Sequence, residues 1–300
     1  MDILSEILES ADWKSDLLAR DRLYESWGYR FPCDRSGGFH VITQGSCYAK
    51  FLGKELFLQK GDLLFITRGI PHDLLSEPNA KIMEIQRFLE GQKQIEKKGK
   101  PVTTFVSVRY EVPSRPQHPF FLELPPYILI PSSDIESHHS LQVVISMISK
   151  ELEQELCSDL ILQKLSDIML YYMIRYWMEK NPSTQPGWLM ALSDSLVIRA
   201  LEALHKNLSY DWTIESLGKS LGVSRANLAN RFKELLQIPP MEYLAKVRME
   251  KARNLFQKGD TTLEEVSLAV GYSSAFAFSK AYKRIFGSSP AKEWKKVSMA

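Results

Sequence analysis

The chain has 300 residues, 44% of them hydrophobic and 25% charged, with a net charge of +2. That make-up allows two folded cores and excludes a disordered, fibrous or collagen-like chain. The three cysteines, Cys33, Cys47 and Cys157, form no CxxC pair and suggest a reducing compartment rather than a disulfide framework.

In chain order, residues 1–18 read as a short amphipathic helix with Ile3, Leu4, Ile7 and Leu8 on one side. Its acids and the lack of a basic stretch before an apolar run argue against a signal peptide. From about Tyr24 to Pro131, short apolar runs alternate with Gly- and Pro-rich turns: FHVITQ, SCYAKFLG, KELFLQKGD, DLLFITRG, AKIMEIQRF and FFLELPPYILIP. Many short strands at this spacing predict an all-β sandwich or barrel, interrupted by a basic loop over Lys93–Lys100.

Beyond Ser137 the period becomes helical. Leu141, Val144, Ile145, Ile148, Leu152 and Leu156 mark one amphipathic helix, and Leu160, Leu165, Ile168, Leu170, Tyr172 and Ile174 a second. Their apolar faces suit either dimerisation or packing on the barrel. Lys164, Asp167 and Arg175 interrupt the most apolar stretch and argue against a membrane span. The run NPSTQPG, Asn181–Gly187, reads as a linker.

From residue 191 onward the chain carries 17 Lys and Arg against 11 Asp and Glu, a net +6, while the preceding part nets −4. A basic module joined to a mildly acidic one suits a polyanion binder, although charge alone decides nothing.

Two C-terminal stretches repeat one grammar: Thr213–Pro240 and Thr262–Pro290. Thr213 and Thr262 stand where a first helix would be capped, and Gly222 and Gly271 where it would end in a left-handed turn. Ser224 and Ser273 are placed to cap a second helix, which would bury Leu228 with Phe232, or Phe278 with Tyr282. Gly222 and Gly271 lie 49 apart, but Phe232 and Tyr282 lie 50 apart, so the second copy gains one residue near the start of its second helix. Each copy reads as a helix-turn-helix whose free face fits a major groove. Between them, Pro240–Gln257 reads as one connecting helix, ~27 Å long at 1.5 Å per residue. The bland reading, a helical bundle without nucleic acid, is outweighed by duplication and basic balance together.

At this point the sequence resembles the AraC/XylS-type transcription regulators. The resemblance rests on A-V-G-Y-S-S at Ala269–Ser274, F-S-K-A-Y-K-R-I-F-G at Phe278–Gly287, Ser289, Pro290 and Trp294, and it extends over about Trp188–Lys296. It implies a seven-helix domain reading two adjacent major-groove segments. By position, the first recognition helix would present Arg225, Ala226, Ala229 and Asn230 to base edges, and the second Phe276, Ala277, Ser279 and Lys280. Lys233, Lys283 and Arg284 suit phosphates. Asn230 stands where Arg is frequent, and Gln237 where glycine is common after the first recognition helix. Phe276 replaces a usually polar residue; it would either touch a thymine methyl or fold back onto the core.

Gly61–His72 resembles the second motif of cupins, with Thr67 where the Pro usually stands. Of the first motif only His40 remains, with Ile42 where a second His would be and no Glu at ligand spacing. A cupin metal site has three His and one Glu, so neither a metal nor another cofactor is expected. His40 and His72 are hydrogen-bonded inside the barrel, hold an organic effector or, as the least favoured alternative, form a weak two-ligand metal site. Trp27, Tyr29, Phe39, Tyr48 and Phe65 read as core, and Cys33 and Cys47 as buried hydrophobes.

The expected fold class is α+β with two domains. Residues 1–180 form a cupin-like β-barrel with two trailing helices that senses a signal or dimerises, 181–190 a linker, and 191–300 an all-α double helix-turn-helix. The expected protein is a cytoplasmic, non-enzymatic, sequence-specific transcription regulator. Its expected partners are double-stranded promoter or operator DNA, RNA polymerase, a second copy of itself and a small-molecule or stress effector, with no membrane. The rivals are a cupin-type binding protein or metal enzyme with a structural helical tail, and a DNA-compacting protein without sequence preference.

Overall fold

The computed structural model describes residues 3–11, 13–24, 26–33, 36–85, 102–111, 118–154, 158–182, 186–257 and 261–291. The basic loop Lys93–Lys100, Cys157, part of the NPSTQPG linker and Trp294 lie outside them. The chain forms two compact units, one of residues 11–181 and one of residues 1–10 with 182–300.

The first unit is built on ten strands: β1 (Lys14–Leu23), β2 (Gly28–Phe31), β3 (Ser36–Gln44), β4 (Ser46–Phe51), β5 (Lys54–Gln59), β6 (Leu63–Ile66), β7 (His72–Leu75), β8 (Met83–Glu84), β9 (Thr103–Glu111) and β10 (Tyr127–Ile130). They form two five-stranded sheets, ordered β1-β9-β3-β6-β10 and β5-β4-β7-β2-β8. Every pairing is antiparallel except β2 with β8. Between the sheets lies a core that includes Phe31, Ile42, Cys47, Ala49, Leu58, Leu64, Leu74 and Phe105. Strand β4 alternates buried and half-buried residues, as expected where one face meets water. Strand β3 is buried almost throughout, because its sheet is covered on both sides.

Helices supply the second cover. After α1 (Ile3–Ala11) come α2 (Pro119–Glu123), α3 (Ser132–Ser137), α4 (His139–Glu153) and α5 (Asp159–Lys180). The Tyr110 hydroxyl on β9 donates to the Ser166 carbonyl on α5 at 2.6 Å, and the Ser15 hydroxyl on β1 donates to Asp167 at 2.7 Å.

Three expectations need correcting. The helix predicted over 1–18 ends at Ala11, and Lys14–Leu23 is a strand paired along its length with β9. Its charges hide any alternation, and the backbone ladder places it there. The strand predicted at FFLEL is instead α2, because Pro119 opens a helix and the His118 ring accepts from the Phe120 N–H at 3.3 Å. On α5, Leu165, Leu170 and Ile174 are buried as expected, but Leu160 and Ile168 are exposed, and Leu162, Met169, Met173 and Tyr176 complete the buried face. That helix is apolar on most sides, so periodicity does not identify its inner face.

The second unit is helical: α6 (Trp188–Ala191), α7 (Ser195–Lys206), α8 (Ile214–Leu221), α9 (Arg225–Leu236), α10 (Pro240–Gln257), α11 (Leu263–Ala269) and α12 (Ala275–Phe286). Helix α1 groups with it, although the expected boundary put residues 1–10 with the barrel. Ile3, Leu4 and Ile7 are buried, and Glu6 pairs with His205 of α7 at 2.7 Å. His205 in turn bonds the Tyr243 hydroxyl of α10 at 2.6 Å. Among the described residues, no helix is long and apolar enough to cross a membrane.

Candidate nucleic-acid interface

Each copy of the repeat folds as helix, turn and helix. Thr213 accepts from the Ser216 N–H at 3.0 Å, and Ser216 reaches back to the Thr213 N–H at 2.9 Å. In the second copy Thr262 and Glu265 make the same reciprocal pair, at 3.2 and 2.7 Å. The first helix of each copy then runs into a glycine at positive φ, Gly222 at 72° and Gly271 at 81°. Gly271 is also needed for space: a Cβ there would sit 2.7 Å from the Ser209 carbonyl oxygen.

Ser224 caps α9 through the Asn227 N–H at 3.2 Å. The matching cap in the second copy is Ser274, which accepts from the Ala277 N–H at 3.2 Å, and not the expected Ser273. The added residue lies in the turn, so the cap moves with the helix start. Leu228, Phe232, Phe278 and Tyr282 are all fully buried. Burying such side chains is worth about 1.5–3 kcal/mol each, which fixes how each recognition helix is rotated.

That rotation turns the other face outward. Arg225, Ala226, Asn230 and Lys233 are exposed on α9, with Ala229 half-buried. On α12, Phe276, Ala277, Lys280, Lys283 and Arg284 are exposed, with Ser279 half-buried. All eleven residues expected at the interface therefore lie on the two recognition helices. Phe276 is 81% exposed, so it does not fold back onto the core.

Several supports lie outside the motif grammar. Glu215 at the start of α8 binds Arg225 at the start of α9, Oε1 to Nη1 at 3.1 Å. The guanidinium beside it holds the Glu215 carboxyl below its ordinary range. Asp194 caps α7 through the Leu196 and Val197 N–H groups at 3.1 and 2.9 Å and binds Arg231 of α9 at 2.8 Å, bracing that helix from behind. Arg248 of α10 donates to the Leu208 and Tyr210 carbonyls, both at 2.7 Å, and its guanidinium lies 5.8 Å from the Tyr272 ring centre in the second turn. These pairs join residues about 10 to 40 positions apart, beyond the reach of periodicity. Gln237 ends α9 at φ 60°, with its side-chain amide donating to the Glu234 carbonyl at 2.7 Å. Asn or Gly usually takes that conformation.

The barrel brings His40 of β3 and His72 of β7 together, Nε2 to Nε2 at 2.6 Å. The proton positions follow from the partners. His72 Nδ1 faces the Ile70 carbonyl at 2.9 Å and must donate, leaving its Nε2 to accept in the neutral ring. His40 Nε2 therefore donates, and its Nδ1 accepts from the Ser107 hydroxyl of β9 at 2.6 Å. Phe31 stacks on His72 at 5.1 Å. Burial pushes both imidazoles below their ordinary range, and for His40 the neighbouring His72 adds to it.

A metal does not fit this donor set. Two nitrogens sharing a tetrahedral ion at ~2.0–2.1 Å stand ~3.3 Å apart, and among the described residues no third ligand completes a site. Among the described residues no cluster of three or more His, Cys, Asp or Glu forms such a site. Cys33 and Cys47 are both buried, and burial pushes the Cys47 thiol up to about 12. A cavity of 560 Å³ opens beside His72, lined also by Arg30, Lys50, Phe51, Lys54 and Asp73. Arg30 and Asp73 bind each other at 2.8 Å there.

Residues 2–179 match the family model described as Cupin, and residues 217–296 the one described as Helix-turn-helix domain. The chain is 31% identical over 295 residues to an AraC-like transcription regulator of Streptomyces lividans, covering 97% of each chain. It is 25% identical over 302 residues to an HTH-type transcriptional regulator of Haemophilus influenzae, covering 100% of each. Among solved structures it is similar to the C-terminal domain of AraT, a response regulator from Geobacillus stearothermophilus. That match has 34% identity over 34% of this chain and 86% of that one, with a TM-score of 0.34. The chain belongs to the AraC-like transcription regulators, with an N-terminal cupin domain and a C-terminal helix-turn-helix domain, and is a DNA-binding transcription regulator.

Proposed function

We propose that the protein reads a specific operator of two adjacent boxes, one recognition helix to each, and that a small-molecule or stress signal sensed in the barrel controls it. The observation that carries this reading is the duplicated helix-turn-helix with its outward faces unburied. Arg225, Ala226, Ala229 and Asn230 face one box and Phe276, Ala277, Ser279 and Lys280 the other, with Lys233, Lys283 and Arg284 on phosphates. Side chains of several chemistries, rather than Lys and Arg alone, favour base reading over compaction.

Residues 11–180 act as the sensing part, 181–187 as the linker, and 188–300, with α1 grouped beside them, as the DNA-binding part, which moves the expected boundaries at residues 1–10 and 188–190. The cavity lined in part by His72, whose ring bonds His40, is the proposed place for an organic effector. Effector binding shifts the population able to grip both grooves. Val143 and Met147 on α4 and Leu160, Ile161 and Ile168 on α5 remain exposed, which supports a homodimer through these helices. The protein works in the cytoplasm with RNA polymerase and catalyses no reaction.

Selection from a random duplex library with the whole chain tests this reading. The expected result is an enriched asymmetric motif of two boxes about one helical turn apart. No enrichment would remove the sequence-specific reading.

A further inference from the structure

The two recognition helices differ where they begin. Helix α9 opens with Arg225, whose guanidinium can donate twice to a base edge, and carries Asn230 a turn later. Helix α12 opens Ala275–Phe276–Ala277, a turn with no hydrogen-bonding side chain. Phe276 is the most exposed large hydrophobic side chain among the described residues, at 81%. It stands two residues from Phe278, about 200° round the helix, so it points away from the buried Phe278 and Tyr282. Lys280, four residues on, shares its face and is exposed.

A phenyl ring on that face costs free energy in water and meets few apolar partners on DNA. In the major groove the apolar feature of a base edge is the C5 methyl of thymine. We infer that Phe276 is a specificity-determining residue that reads a thymine methyl in the second box. This inference rests on the reading that α12 enters a major groove.

The test uses the full chain and the selected operator, with each thymine of the second box replaced in turn by deoxyuridine. That change removes one methyl and leaves the base pair intact. The expected result is one position where binding weakens about fourfold, the worth of one buried methyl group. Phe276→Ala, at a surface position that does not support the fold, should bind thymine and deoxyuridine equally there. Two results would overturn the inference: no second-box thymine responds to loss of its methyl, or the response persists in Phe276→Ala. If selection yields no operator, the reading beneath it fails instead, so the two failures are distinguishable.

Discussion

Glu215 and Arg225 lie ten residues apart on different helices, and their side chains meet across the turn at 3.1 Å. Arg225 is the first residue of α9, where the helix dipole disfavours a cation. The carboxylate offsets that and sets the direction in which the guanidinium leaves the helix. Both side chains are exposed, so the pair matters little for stability. Its effect should appear on DNA. If Arg225 reads a base as proposed, Glu215→Gln is expected to lower discrimination at that base by about five- to tenfold, the low end of the range for such contacts. It should also strengthen binding to every duplex modestly, since a negative charge near phosphates is gone. Kd values on the operator and its single-base variants measure both. Unchanged discrimination would show that Glu215 does not position Arg225.

The His40–His72 pair predicts an acid-sensitive barrel. Burial holds both rings' pKa values below the ordinary 6.5 in the folded state, while the unfolded chain titrates near it. Below that pH the unfolded state binds more protons, so stability falls as pH falls, by up to about 1.4 kcal/mol per pH unit for each ring that stays neutral. Above pH 6.5 the stabilising difference is fully present. Urea melts of the barrel transition at pH 7.5 and 5.5 should show the drop. Combined His40→Leu, His72→Leu and Ser107→Ala substitutions, which leave no buried hydroxyl stranded, should flatten it. An equal slope in that variant would place the acid sensitivity elsewhere.

The turn glycines should respond unequally. At Gly222 a Cβ meets nothing within 4 Å, so Gly222→Ala carries only the left-handed penalty of about 1–2 kcal/mol. Gly271→Ala adds a clash with the Ser209 backbone and should cost clearly more. Thermal melts of the two variants give the comparison, and equal losses would contradict the contact.

Gln237 offers the reverse case. Its φ of 60° strains an L-residue, and its amide bond to Glu234 returns part of that. Gln237→Gly should therefore stabilise the helical unit, by no more than about 1 kcal/mol. A clear loss of stability would mean that the side-chain bond outweighs the strain.

Much of this was legible in the sequence, because the repeat is encoded locally. Caps, turn glycines and inner-face residues at four-residue spacing fix the two second helices of the repeat, whereas the eleven expected interface residues come from the family resemblance by position. What escaped was set by distant partners. Strand β1 is held by its ladder to β9 despite its charges. The Asp194–Arg231 pair and the Arg248 carbonyl contacts join separate helices. The shift from Ser273 to Ser274 shows the limit of fixed-offset reading where a turn gains one residue. In the barrel, the motif gave His40 and His72, but their hydrogen-bond chain with Ser107 required the fold to bring β3, β7 and β9 together.

The most direct test of the account compares full-chain affinity for the selected operator with that for the same duplex carrying both boxes scrambled, at ~150 mM salt. The account predicts a preference of at least about 10³-fold, as for sequence-reading proteins. Equal affinity for the two duplexes, falling steeply with salt, would show binding through phosphates alone and contradict it.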